Sequence, residues 1–503
     1  MTKTMGRHRT AVASATVLAL TLAACSGGSG EGDGGSAGPM TWMTVIHTPT
    51  TPTKNGPVET ALEKHTGTEF ELQWVPAAST EEKLNAALAS EQLADLVTLG
   101  PVESTTVRSA LTSGMFWDVE KYLKDFPNLA KIDATTKDSA RIDGKLYGVP
   151  YQKIKARYGV VVRQDWLDKL GLEVPHTIDE LTKVAQAFTE DDPDGNGKDD
   201  TVGFYDREES FLVGFESLTG YFGAGSGFEV TADGKVVPAF TTDAFKEAMK
   251  WYRGVYENGW VNQEFVTVQK QNQQDGIARG KGGIVVTGLF EAKNYNALAK
   301  SADPDTPMEW ALINDMTYKD VPRRILSDTN GGMGGWLAIP KKNVPTEDEL
   351  RKVLGFIDKL MDKKAYGLMT NGIEGEHYKV DGDGVVTITD QKKWEQEVQP
   401  FSSSRPSEKV VTYKSSDEYV NEANELMAQN EANVVTNPAQ SLTSKTYDTR
   451  WSTIEQQVND AYNQYITGQI EMSGFEAVIE RVRGQGLDQI IEEFTAAYAE
   501  VNG

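Results

Sequence analysis

The chain has 503 residues, a net charge of −24 and a single cysteine. Its length requires more than one domain, and 39% hydrophobic residues with 10 Trp, 18 Tyr and 17 Phe exclude a chain too polar to build cores. The acidic balance excludes the basic footprint of a nucleic-acid binder, and one cysteine excludes an internal disulfide or a cysteine-rich zinc site.

In chain order, Lys3, Arg7 and Arg9 precede a 14-residue run of apolar and small residues, Ala11–Ala24. The run is shorter than the ~20 residues that span a bilayer, so 1–24 reads as an export signal. Residues 26–39 hold seven glycines in fourteen positions, so 25–39 reads as a flexible tether. At the junction, Leu22-Ala23-Ala24-Cys25 resembles the lipobox of bacterial lipoproteins, in which cleavage precedes the cysteine and its thiol is lipidated. The resemblance implies a palmitate-bearing anchor at Cys25 on the extracytoplasmic face of the cell membrane. Several acyl chains hold stably where one binds only marginally.

Past the tether, Trp42–His47 predicts a strand, Val58–His65 a helix ending near Gly67, Phe70–Val75 a strand and Glu81–Ser90 a helix. Further strands are expected at Gly159–Val162, Gly283–Thr287 and Trp336–Ile339, and helices at Ile178–Phe188 and Glu347–Met361. In the last, Leu350, Val353, Leu354, Ile357, Leu360 and Met361 share one face. From Ser416 to Tyr498 the pattern is almost wholly helical. The alternation predicts α/β lobes with largely parallel sheets and a helix-rich C-terminal portion. Three turn-rich stretches, 143–150, 280–290 and 330–335, could carry the chain between lobes.

Asp192-Pro-Asp194-Gly-Asn196-Gly197-Lys198-Asp199-Asp200 carries the sharpest chemistry. Oxygen side chains at positions 1, 3 and 5 with glycine at 6 match the front half of an EF-hand loop. Position 12 is Gly203, so the loop is no complete EF-hand. Asp192, Asp194, Asn196, the Lys198 carbonyl and Asp200 are the candidate ligands for one calcium ion. Asp381-Gly-Asp383-Gly384 has too few ligands and reads as a hairpin turn. His47, His65, His176 and His377 are scattered, and no nucleophile elbow, zinc-protease or P-loop motif occurs. These features predict no enzyme, with a surface-anchored glycoside hydrolase as the alternative, since a carboxylate pair cannot be singled out among 74 acidic residues.

Several segments in order resemble the extracellular solute-binding proteins of ABC importers, family 1, and within it the alginate-oligosaccharide-binding subgroup. They are Ile142–Tyr151 (IDGKLYGVPY), the run from Val162 through the acidic loop, Ile277–Gly288 (IARGKGGIVVTG) and Asn371–Val380 (NGIEGEHYKV). The resemblance implies a two-lobed periplasmic-binding-protein-like fold with a hinge of three crossings. It implies an oligosaccharide in the cleft, delivery to ABC permease transmembrane subunits, a monomer, and a structural calcium site away from the sugar. Where related loops carry a glutamate, this chain has Thr201. An adhesion or sensing module on the same fold is a further alternative.

The lobes are then expected at 40–149 plus about 289–334, and at about 150–288 plus 335–503. Sugar recognition needs aromatic faces and planar polar groups. Strand ends near the crossings supply His47, Thr48, Tyr151, Phe290, Asp328, Asn330 and Trp336, and Arg163 would suit an acidic sugar. Trp166 is expected in a core.

Overall fold

The computed structural model describes residues 38–48, 51–100 and 104–502. The export signal, Cys25 and the tether up to residue 37 lie outside the described residues. Pro39–Gly503 forms one compact unit built on two sheets.

The first sheet contains β1 (Met40–Ile46), β2 (Phe70–Pro76), β3 (Leu96–Leu99) and β4 (Val149–Gln152), in the order β2-β1-β3-β12-β4, where β12 is Met333–Ala338. β1 runs parallel to β2 and β3, and β12 runs antiparallel to both neighbours. In β1 the alternate residues Trp42, Thr44 and Ile46 are buried, the period-two pattern of a strand with one face on a core. The helix Pro57–Thr66 that follows starts on proline and stops at Gly67, whose φ of 68° only glycine takes without penalty. The helix Glu347–Leu360 is fixed by a Thr346/Glu349 capping box and buries Leu350, Val353, Leu354, Ile357 and Leu360 against this sheet's core.

The second sheet contains β5 (Tyr158–Arg163), β6 (Val202–Phe204), β9 (Gly282–Gly288) and β10 (Trp310–Ile313), in the order β10-β5-β9-β6. Val160 and Val162 of β5 enter one core, and Val161 enters a second core on the opposite face. That double burial explains the unbroken apolar run Val160-Val161-Val162. Only β6 and β9 pair in parallel. The sheet is therefore not largely parallel, because β5 arrives from the first lobe and runs against both neighbours. Three two-stranded pieces complete the strands: β7 (Phe228–Val230) with β8 (Val236–Pro238), β11 (Ile325–Leu326) with β15 (Val434–Val435), and β13 (Tyr378–Val380) with β14 (Val386–Ile388). Asp381-Gly-Asp383-Gly384 joins the last pair as a hairpin turn, with the Asp381 carboxylate accepting the N–H groups of Asp383 and Val385.

The architecture is mixed α/β and two-lobed, but the segments are shared out differently from expectation. Residues 289–332 belong to the second lobe, because β10 pairs with β5 and Ala292, Tyr295 and Ala299 pack in the second lobe's core. Residues 333–401 belong to the first, since β12 pairs with β3 and β4, and Leu350 to Phe401 fill its core. The tail is helical except at 434–444, which holds β15, and at the link 467–471.

The chain passes between the sheets three times, at 153–157, 327–332 and about 405–416. The first lies just beyond the expected 143–150, and the second overlaps the expected 330–335. The stretch 280–290 is no crossing. A Cβ on Gly282 would stand 2.5 Å from Tyr205, and one on Gly283 would stand 2.4 Å from Phe188. These glycines admit neighbouring rings within one lobe. The crossings are tied to one another: Lys153 N–H donates to Gly332 O, Gln152 N–H to Pro406 O, and Thr329 Oγ1 to Ile154 O.

Candidate functional site: the cleft between the sheets

A cavity of about 410 Å³ opens between the lobes along the first and third crossings. The second lobe contributes Phe290 and Lys293, the first contributes Tyr366, Thr370, Asn371 and Trp394, and the crossings contribute Arg157, Arg405 and Glu408.

Phe290 follows the C-terminal end of β9. Its ring folds over Gly288, where a Cβ would lie 2.4 Å from it, and the residue stays 37% exposed while Leu289 is fully buried. The Arg157 guanidinium sits 5.6 Å from the ring centroid, within reach of a cation–π attraction. Asp328 holds Arg157 in place, accepting its backbone N–H and its Nε, both at 2.8 Å. Burial outweighs Arg157 and raises the Asp328 carboxyl above its ordinary range. Tyr158, next along, is pushed up to about 12, first by burial and then by Asp328.

On the other wall Lys153 Nζ donates to Glu408 Oε1 at 2.8 Å and to Tyr151 Oη at 3.1 Å. Burial raises Glu408, but Lys153 and then Arg157 outweigh it and hold the carboxyl below its ordinary range. Arg405 donates to Thr370 Oγ1 at 2.7 Å and lies over the Tyr366 ring, which stacks on Tyr413. Asn371 is 6% exposed, and its buried Nδ2 has no hydrogen-bond partner. Charged side chains on the lining are Arg157, Lys293 and Arg405 against Glu408 alone, in a chain of net charge −24. The cavity thus offers cationic donors and aromatic faces.

Of the residues expected at the site, His47 and Thr48 do lie at the end of β1. Loss of hydration, then Lys153 of the first crossing and Lys270 of the second lobe, lower the His47 pKa. Phe290 lines the cavity. Tyr151 is buried in β4, just before the first crossing, and donates to Ser403 O, so it braces the wall. Asp328 and Asn330 lie on the second crossing and line a separate cavity of about 420 Å³ with Tyr158, Leu212 and Trp451. Two expectations are overturned. Trp336 is 1% exposed in the first core, with Nε1 donating to Ala140 O, because its strand is central in the sheet. Arg163 closes the far end of β5, paired with Asp165 and set over Trp166 and Trp310. Trp166 is core, as expected. Arg157, Lys153, Glu408 and Arg405 were not expected at the site. Their only sequence signal was a cluster of basic residues ahead of a strand, 153–157, and a charged stretch, 405–409.

The acidic loop curls as its composition demands. Asp192 accepts the N–H groups of Gly195, Asn196 and Gly197, and Asn196 Nδ2 bridges Asp194 Oδ2 at 2.7 Å and Asp200 Oδ1 at 3.0 Å. Gly195 and Gly197 take φ values of 73° and 75°. Thr201 is buried, its hydroxyl donating to Phe188 O, so it faces away from the loop. Among the described residues, Glu376, His377 and Glu397 also place ligand-type atoms close together. There, however, His377 Nδ1 accepts the Ile373 N–H, which leaves the ring's hydrogen on Nε2, aimed at Glu397. That tautomer offers a metal no lone pair.

Residues 47–365 match the family model of the bacterial extracellular solute-binding proteins. The chain belongs to that family. A solute-binding relative from Bacillus subtilis (strain 168), the polygalacturonan/rhamnogalacturonan-binding protein YtcQ, is 36% identical over 96% of this chain and 97% of its own. Lipoprotein LipO of the same organism is 29% identical over the same shares. Among solved structures, an extracellular solute-binding protein from Bifidobacterium longum subsp. infantis superposes with a TM-score of 0.70 at 19% identity, covering 92% of this chain and 97% of that one. The alginate-binding protein AlgQ2, solved without calcium ion, does so with a TM-score of 0.67 at 20% identity, covering 92% and 99%. These solute-binding proteins share the two-lobed fold.

Proposed function

We propose that the chain captures an acidic oligosaccharide, one carrying uronate carboxylates, in the cleft and delivers it to the transmembrane subunits of an ABC importer without chemical turnover. One observation carries the reading: the cavity lining pairs Arg157, Lys293 and Arg405 with a single carboxylate, inside a strongly acidic protein. Carboxylates on a sugar suit fork-shaped guanidinium donors, and the ring faces of Phe290 and Trp394 suit the apolar faces of pyranose rings. The relative that binds polygalacturonan and rhamnogalacturonan supports the same class.

In this reading Cys25 carries the lipid anchor, as the lipoprotein relative supports, and the acidic loop holds one structural calcium ion. Asp192, Asp194, Asn196, Asp200 and the Lys198 carbonyl would be its ligands. The Asn196 amide already lies between two carboxylates, and turning it over presents its oxygen instead.

The test is calorimetry on Pro39–Gly503 with trigalacturonate, run beside chromatography of the mixture. Saturable binding with no new product is expected. Release of shorter sugars would mark a hydrolase, and binding of neutral oligosaccharides alone would remove the acidic specificity.

A further inference from the structure

Two lysines from other parts of the second lobe rest on the acidic loop. Lys281, at the turn into β9, places Nζ 3.3 Å from Asp200 Oδ2. Its backbone is fixed there, because Lys281 O accepts the Val202 N–H where β6 pairs with β9. Lys169 lies in the last turn of the helix Gln164–Leu170, whose Trp166 and Leu167 are core residues. Its Nζ takes the space that a side chain at position 195 would need, so a Cβ on Gly195 would collide with it. Gly195 has a φ of 73°, and its bare Cα lets the ammonium reach the loop.

Together the two lysines bring the charge of one divalent cation to a stretch rich in carboxylates. Residues 192–200 hold Asp192, Asp194, Asp199 and Asp200 against Lys198 alone, and crowded like charges repel. The hydrogen bonds within the loop shape it without neutralising it. Asp200 is held on both oxygens, Oδ1 by Asn196 and Oδ2 by Lys281. A metal that takes Asp200 therefore meets the Lys281 charge. Thr201, turned onto Phe188 O, offers no carboxylate to tip the balance.

We infer that Lys169 and Lys281 are stand-in cations: they steady the loop when it carries no metal, oppose a divalent cation as it enters, and so set calcium affinity to the weak range. Ligand charge and site rigidity tune calcium sites over several decades, and about 0.1–1 mM is the range of extracellular modules. Each lysine charge, close to the ion in water-like surroundings, weakens binding about tenfold. The ion is then exchanged rather than locked in, and its loss leaves the lobe folded.

The inference rests on the loop being the calcium site, and metal-free melts keep the two apart. In Pro39–Gly503 stripped with chelator, Lys281→Met is expected to melt a little lower than the unaltered chain. Calcium titrations by calorimetry at low salt are expected to show about tenfold tighter binding in Lys281→Met. That gain should shrink at high salt, because the opposing charge is exposed and screened. Added calcium should accordingly raise the melting temperature of Lys281→Met more than that of the unaltered chain. Lys169→Met is expected to act in the same direction. Calcium affinity unchanged in a normally folded Lys281→Met protein would overturn the inference. If calcium binds neither protein, the calcium reading fails and the metal-free melts alone decide. A lower melting temperature for Lys281→Met then upholds the lysine as the loop's counter-charge, and an equal or higher one overturns it. Should Lys169→Met not fold, Lys281→Met, altered at a side chain 46% exposed, is read by itself.

Discussion

Arg157 and Arg163 bracket the same strand, and each pairs with an aspartate and lies over an aromatic ring. Their surroundings are opposite. Arg157 leans between lobes, its aspartate comes from another crossing, and its ring is the exposed Phe290. Arg163 takes Asp165 from two residues away and two tryptophans from its own lobe, beside the acidic loop. In the proposed reading the same chemistry serves recognition at one end and cohesion at the other. What differs is whether the partners come from one rigid body or two.

The largest expected effect comes from removing the cleft arginine. Arg157→Ala leaves Asp328, with a side chain only 10% exposed, without its counter-charge. A destabilisation of about 2–3 kcal/mol is expected, below the value for fully buried pairs because Arg157 keeps some solvent contact. Calorimetry should also show trigalacturonate binding lost. Arg163→Ala should cost about 2 kcal/mol by denaturant melts, from the stranded Asp165 and the lost stacking, with trigalacturonate affinity unchanged. Equal losses of affinity in both variants would erase the contrast between the two ends.

Phe290→Ala is expected to reverse the Arg163 pattern. Binding should weaken about tenfold, or roughly 1.4 kcal/mol, from the lost ring face, while the melting temperature holds because the ring is part-exposed. Acid sharpens the comparison further. The Glu408 pKa is depressed in the folded state, so Glu408 stabilises at neutral pH, and that stability drains as pH falls below the ordinary carboxylate range. Asp328 is shifted upward and acts with the opposite sign, gaining relative stability on acidification. Glu408→Gln should therefore flatten the acid limb of thermal melts between neutral pH and pH about 3. The smallest shift is expected at the far end: chelator should lower the melting temperature slightly, and Asp194→Ala should abolish that response.

How much of this was legible follows from locality. Helices with capping boxes and a buried stripe, such as Glu347–Leu360, announce themselves because cap and stripe lie within fourteen residues. The loop at Asp192 is equally local. Phe290 could be placed because it directly follows an apolar strand. Arg157 and Arg163 could not be told apart, since their difference is made by Asp328 and Trp310, far along the chain. The glycines at 280–283 misled for a related reason: the rings that need their missing Cβ atoms, Tyr205 and Phe188, are remote in sequence. The third crossing, Arg405 to Ser416, carries no glycine, and its one local mark is the charged stretch 405–409.

β12 stands between β3 and β4 in the first sheet, yet it is made after nearly the whole second-lobe sheet. As the chain emerges N-terminus first on the outer side of a membrane, the first lobe therefore waits with an open slot in its middle. Its earliest strands cannot close into a stable body until some 230 later residues have followed. Closure at such long sequence separation is slow and exposes unpaired strand edges. The second lobe's four strands lie between 158 and 313, but its core also takes Trp451, Ile454, Tyr462 and Phe494 from the C-terminal helices, so it too waits for the end of the chain. A truncated product that stops short of β12 would leave both lobes incomplete, and a pulse of newly exported chain should gain protease resistance only once the C-terminal helices have emerged.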